Sequence, residues 1–108
     1  MTLSTHVLDA GIGRPAEGVG VRLERSGPGG WTDVAQDRTD ADGRLRFTAE
    51  VGPGTYRITF ATGSYFAARE VAAFYPEVAV TFQVTATTEH YHVPLLLSPF
   101  SYSTYRGT

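Results

Sequence analysis

Residues 56–84 read YRITFATGSYFAAREVAAFYPEVAVTFQV, and two different periodicities share the stretch. At its start Tyr56, Ile58 and Phe60 alternate with Arg57 and Thr59. At its end Val78, Val80, Phe82 and Val84 alternate with Ala79, Thr81 and Gln83. One apolar face at a period of two marks a half-buried antiparallel strand, because successive side chains leave opposite faces of a sheet. Between the runs, residues 64–74 (SYFAAREVAAF) are rich in alanine, poor in β-branched residues, and set Phe66, Arg69, Glu70 and Ala73 at helical spacing. One short helix is predicted there, stopped before Pro76.

The alternation extends outward from this stretch. Val19, Val21 and Leu23 alternate with Gly20, Arg22 and Glu24, and turn-forming clusters at 11–15, 27–30, 42–43, 52–54 and 62–63 separate the runs. About eight strands are expected, near 3–9, 19–25, 31–38, 44–48, 55–61, 77–85, 89–97 and 100–105. Such spacing with a single helix predicts a mostly β, two-sheet sandwich. The 108 residues fit one domain, 1–108, large enough to bury a core without covalent staples. No repeat, linker or low-complexity tract divides it.

Composition removes several classes of function. Without cysteine there are no disulfides, thiolate catalysis or cysteine-ligated metal sites. Arginine supplies all 9 basic residues, scattered from Arg14 to Arg106, and the net charge is −2, so nucleic-acid binding has no electrostatic footprint. No apolar run approaches membrane-spanning length, and the first residues lack the basic and apolar regions of a signal peptide. No membrane association and a cytoplasmic location are expected.

The chemistry-bearing residues concentrate in residues 89–108, EHYHVPLLLSPFSYSTYRGT. Period two sends Tyr91, Val93, Leu95 and Leu97 to one face, which reads as core. It sends His90, His92, Pro94 and Leu96 to the other, and Pro94 belongs at an edge or bulge because it cannot donate to a ladder. Two imidazoles beside an apolar patch are an odd combination for a face that meets only water; the plain alternative is two surface histidines packed in a subunit contact. His6 shares its face with Ser4 and Leu8, opposite Leu3, Thr5 and Val7. Arg44 follows the Asp42-Gly43 turn and faces away from the core. Taken singly, His6 is better explained by a structural or solvated role and Arg44 by a solvated face.

Other reaction classes find no support. There is no G-x-S-x-G nucleophile elbow, and GPGG at 27–30 lacks the Lys-Ser/Thr of a phosphate loop and reads as a hairpin turn. The carboxylates show no pairing suggestive of a glycosidase. His6, His90 and His92 could together offer imidazoles to a metal, but H-x-H is a common coincidence and no metal is expected.

The chain resembles the transthyretin-like family and, within it, the 5-hydroxyisourate hydrolases. The likeness spans essentially the whole chain. Its middle, GRPAEGVGVRLER through TDADGRLRFTAEVGPGTYRITF, is shared with many prealbumin-like sandwiches, and LLSPFSYST at 96–104 is similar to the end of the hormone carrier itself. The hydrolase-specific part is STHVLD at 4–9, the Asp-Gly-Arg ending at Arg44, HYHVPLLLSP at 90–99, and a final YRGT where the family has YRGS. Thr108 keeps the hydroxyl of that serine and adds a methyl group.

The resemblance implies a transthyretin-like sandwich that assembles as a homotetramer, with sites between dimers and 5-hydroxyisourate as small-molecule substrate. It implies a catalytic set of His6, Arg44, His92, Tyr105 and Thr108. Substrate binding would draw on His6, Arg44, Tyr105, Arg106, Gly107 and His90, and Arg106 would fix the terminal carboxylate. His92, aided by His6, would activate water, Arg44 would stabilise the carbonyl oxygen, and no cofactor would be needed. A non-catalytic carrier holding a small aromatic ligand in the same channel is the main alternative, and a freestanding prealbumin-like interaction module the third.

Overall fold

The computed structural model describes residues 2–49, 52–86 and 88–108. In chain order the elements are β1 (Thr2–Asp9), β2 (Arg14–Pro15), β3 (Gly20–Gly27), β4 (Gly30–Arg38), β5 (Arg44–Thr48), β6 (Gly54–Phe60), α1 (Thr62–Ala68), β7 (Val78–Val84), β8 (His90–His92), β9 (Leu95–Leu97) and β10 (Tyr102–Thr104).

β1 is the spine of the first sheet. Leu3, Thr5, Val7 and Asp9 point inward and are buried, while Thr2, Ser4, His6 and Leu8 alternate with them on the outer face. Along one edge β1 pairs antiparallel with β5 and then β2; along the other it pairs parallel with β8 and then β9, and β10 adds beyond β9. The second sheet runs β4, β3, β6, β7, antiparallel throughout. The core lies between them, with Leu3, Val7, Tyr91, Leu95 and Leu97 from one sheet against Val21, Leu23, Tyr56, Ile58 and Phe60 from the other. Each such side chain contributes roughly 1.5–3 kcal/mol by leaving water. The sandwich expected from period two is therefore the fold observed.

Beyond shifts of one or two residues at strand ends, two features differ from the sequence-based expectation. Among the described residues ten strands replace about eight, because Arg14-Pro15 adds a two-residue strand and the expected 89–97 strand divides at Val93-Pro94 into β8 and β9. Pro94 has no N–H to donate to β1. Its carbonyl instead accepts the Thr104 hydroxyl at 2.7 Å, and Thr5 Oγ1 crosses the break to donate to the Val93 carbonyl at 2.7 Å.

The helix covers Thr62–Ala68 rather than 64–74. Its start is tied to the segment that should have prolonged it, since Gly63 N–H donates to the Pro76 carbonyl at 3.0 Å. The chain must return from the helix end to that point within a few residues, so the helix cannot run on. Glu70 makes the reversal at φ 57, with N–H bonds from Glu70 to Ala67 and from Val71 to Phe66 closing a Schellman cap.

Asp9, 4% exposed, locks this helix to β1. One carboxylate oxygen accepts the Tyr65 hydroxyl at 2.9 Å, the other accepts Gly11 N–H at 3.0 Å, and the Arg69 guanidinium lies 3.7 Å from the Tyr65 ring centre. Burial, then the hydrogen bond to Asp9 and its charge, push the Tyr65 phenol up to about 12. The last residue of STHVLD thus serves the fold.

Candidate active site

The outer face of the first sheet collects the polar residues that period two had set aside. Register arranges them in rows: His6 opposite Arg44, Ser4 between Arg46 and His92, and Thr2 between Thr48 and His90. Ser4, His6, Arg44, Arg46, His90 and His92 line, with Asp37, Arg38, Asp40, Leu45 and Thr108, an open cavity of about 620 Å³. That falls within the ~300–1,000 Å³ of small-molecule sites.

The turn before β5 fixes two of the groups. Asp40 Oδ1 accepts the N–H groups of Asp42 and Arg44, each at 2.9 Å, and Gly43 N–H donates to the Asp40 carbonyl at 2.9 Å. Gly43 has φ +73, and a Cβ there would stand 2.3 Å from the Val7 carbonyl oxygen, so only glycine lets the turn press on β1. The Asp42 carbonyl projecting from this turn lies 2.9 Å from His6 Nε2. A carbonyl only accepts, so Nε2 carries the proton and Nδ1 keeps the lone pair of the neutral ring. Among the described residues, neither the Arg44 nor the Arg46 guanidinium has a hydrogen-bond or ion-pair partner. Two such cations on one face suit an electron-rich ligand.

His92 sits deeper. Its Nδ1 lies 2.7 Å from Ser4 Oγ, which lies in turn 2.8 Å from His90 Nε2, and His90 Nδ1 lies 2.6 Å from Thr2 Oγ1. Burial holds the His92 imidazole below its ordinary value; a backbone hydrogen bond with Ser4 opposes this, and the charges of His90, His6 and Arg44 add to the lowering. A neutral imidazole at physiological pH follows. The histidines do not converge as ligands: among the described residues, no three His, Asp or Glu side chains form a group able to hold a metal ion.

The final residues divide between two places. Gly107 N–H donates to the His92 carbonyl at 2.9 Å, an isolated bridge that brings Thr108 into the cavity. A Cβ on Gly107 would stand 2.3 Å from His92 Cδ2, so glycine allows the tail to pass against the imidazole. Tyr105 and Arg106 line a different, more apolar hollow of about 320 Å³ with Phe82 and Tyr91, and His92 borders both. Arg106 Nη2 bonds Glu89 Oε2 at 2.9 Å and the guanidinium lies 5.0 Å from the Tyr91 ring centre. Arg106 therefore anchors the tail to β8, where the resemblance implied a terminal carboxylate as its partner.

Within one chain, then, the cavity gathers His6, Arg44, His90, His92 and Thr108, and leaves Tyr105 and Arg106 outside. Sequence reading passed over Thr2, Ser4 and Arg46 as site residues. Period two puts all three on the right face, but nothing local reveals that Ser4 meets histidines 86 and 88 positions away.

The HIUase/Transthyretin family profile matches residues 3–107. A 5-hydroxyisourate hydrolase of Salmonella typhimurium is 48% identical over 109 residues, covering 98% of this chain and 80% of the relative. The structure of Klebsiella pneumoniae 5-hydroxyisourate hydrolase superposes with a TM-score of 0.89 at 38% identity, covering 100% of both chains. Sea bream transthyretin in complex with thyroxine superposes with a TM-score of 0.92 at 33% identity, covering 98% of this chain and 94% of its own. The backbone is thus as close to a hormone carrier as to a hydrolase, and the difference between them must be sought in side chains.

Proposed function

The chain belongs to the HIUase/Transthyretin family, and on that premise we propose that it hydrolyses 5-hydroxyisourate. Water adds to an amide-like carbonyl of the six-membered ring, which opens to 2-oxo-4-hydroxy-4-carboxy-5-ureidoimidazoline in urate degradation. The observation that carries this reading is the convergence of His6, Arg44 and His92 on one cavity. A carrier needs no such set.

His92 Nε2 takes a proton from water as the hydroxide adds to the carbonyl carbon. A positioned general base contributes about 10²–10⁴-fold. Arg44 meets the oxygen on which negative charge develops, and with no partner among the described residues its guanidinium is available to do so. His6, with Nε2–H held by the Asp42 carbonyl, offers Nδ1 to the attacking water or a ring N–H. The C–N bond then breaks and the departing nitrogen regains the proton. Gly107 and Thr108 border the ring's place, and no cofactor enters the step.

We further propose a cytoplasmic homotetramer in which a second subunit closes the open side of the cavity. Exposed Leu96 on β9 and Tyr105, 40% and 60% exposed, are groups such a contact would cover. Tyr105, outside the cavity of its own chain, would then help position the ring in the assembled channel.

The test is the decay of freshly generated 5-hydroxyisourate with and without the protein. A large acceleration is expected, reduced about 10²–10³-fold by Arg44→Ala with the fold retained. A folded protein that leaves the spontaneous rate unchanged would overturn the reading and favour the carrier.

A further inference from the structure

On the hydrolase reading, one feature of the outer face is still unused: Thr2, His90, Ser4 and His92 form a continuous hydrogen-bond chain. Its links measure 2.6, 2.8 and 2.7 Å and run from half-buried Thr2 at the start of β1 to the cavity. Each neutral imidazole holds one proton for two nitrogens, and each hydroxyl carries one proton. A chain that passes the Ser4 hydroxyl proton along it therefore has two directions, whereas a third arrangement, with both imidazoles donating to Ser4 Oγ, gives that proton no neighbour in the chain.

In the first direction Thr2 donates to His90, His90 Nε2–H donates to Ser4, and Ser4 donates to His92 Nδ1. His92 then carries its proton on Nε2 and cannot act as a base there. In the second, His92 Nδ1–H donates to Ser4 Oγ, Ser4 donates to His90 Nε2, and His90 Nδ1–H donates to Thr2 Oγ1. Nε2, which makes no hydrogen bond among the described residues, is then left with its lone pair.

We propose that Ser4 is a positioning residue: placed between two imidazoles, it holds His92 in the Nδ1–H tautomer and links it to a proton path through His90 and Thr2. When Nε2 takes a proton from water, Nδ1 passes one to Ser4 Oγ, Ser4 passes its own to His90 Nε2, and His90 Nδ1 passes one to Thr2 Oγ1. The Thr2 proton leaves to solvent. Every residue in the path gives one proton and receives one, which leaves His92 neutral with its proton on Nε2; when the departing nitrogen takes that proton, the path runs inward from solvent and restores Nδ1–H.

The surroundings give this path a purpose. His6 and Ser4 on β1, Arg44 and Arg46 on β5, and His90 on β8 share the face with His92, and Arg38, Asp37 and Asp40 line the same cavity. A cation on His92 would sit among basic groups, of which Arg44 and Arg46 have no partner among the described residues, so moving the charge outward relieves it. This is also why two histidines two positions apart point outward: His90 completes the chain that His92 begins.

Ser4→Ala removes the link without adding bulk, and Ser4→Thr keeps the hydroxyl. We expect Ser4→Ala to lower kcat about 10–100-fold, a share of the ~10²–10⁴ a positioned base supplies. KM should stay within about twofold, and Ser4→Thr should recover most of the loss. Nitrogen-15 NMR of the histidine rings near pH 8 reads the tautomer without substrate. It should show His92 as Nδ1–H in the wild type and shifted toward Nε2–H in Ser4→Ala. Wild-type hydrolysis with His92 as Nε2–H, or an unaltered kcat in Ser4→Ala, would overturn the role of Ser4 alone. A wild type with no hydrolysis would overturn the functional reading and this role with it.

Discussion

At the scale of single residues, the site depends on two groups that have little room to vary. His92 is lowered by burial and by the basic groups beside it. A depressed value means the imidazole stays neutral until the pH falls below the ordinary ~6.5 of histidine. Activity should hold on descending through pH 6.5, and the acid limb of kcat/KM should appear lower; a midpoint above 6.5 would show that His92 is not the titrating base. Gly107 is the second group. Gly107→Ala places a Cβ where the His92 ring stands, so either the imidazole or the tail must move. We expect kcat to fall at least about 10-fold, as misplacing a catalytic base does, with thermal stability nearly unchanged. Wild-type kcat in Gly107→Ala would show that tail and ring adjust freely. In sequence, Gly107 carries no mark of this constraint, because the clash is with a residue on another strand.

At the scale of elements, α1 shows how tertiary ties override local propensity. Ala72 and Ala73 favour helix, yet the chain leaves it at Glu70 because Gly63 and Pro76 must meet. Glu70 is exposed and sits at φ 57, a conformation that costs an L-residue about 1–2 kcal/mol and glycine almost nothing. Glycine's greater freedom in the unfolded chain offsets part of that. Glu70→Gly should therefore stabilise by about 0.5–1 kcal/mol, a rise of a few degrees in Tm. A fall in Tm would mean that Glu70 makes a contribution beyond its backbone. The β8–β9 break was legible in part, since Pro94 announces an irregularity. The pairing of both pieces with one neighbour, β1, was not, because parallel pairing leaves no turn between the partners for a sequence to display.

At the scale of the whole molecule, one face of one sheet carries the candidate chemistry. We expect sedimentation to give a tetramer's mass rather than the 11.7 kDa of one chain. Leu96→Glu should lower that mass while preserving the β-sheet circular dichroism, since a charge would be buried in the contact. A wild-type monomer at micromolar concentration would remove the closed channel and the place suggested for Tyr105. The sequence by itself determined the sandwich, the faces of β1 and β8, and the resemblance to one family, because periodicity, turn residues and motifs are written locally along the chain. Only the tertiary structure decided that Tyr105 and Arg106 leave the cavity of their own chain, that Arg106 pairs with Glu89, and that Ser4 stands between two histidines. Those outcomes turn on the register between strands far apart in sequence, where a shift of one residue would send the same side chains to the opposite face.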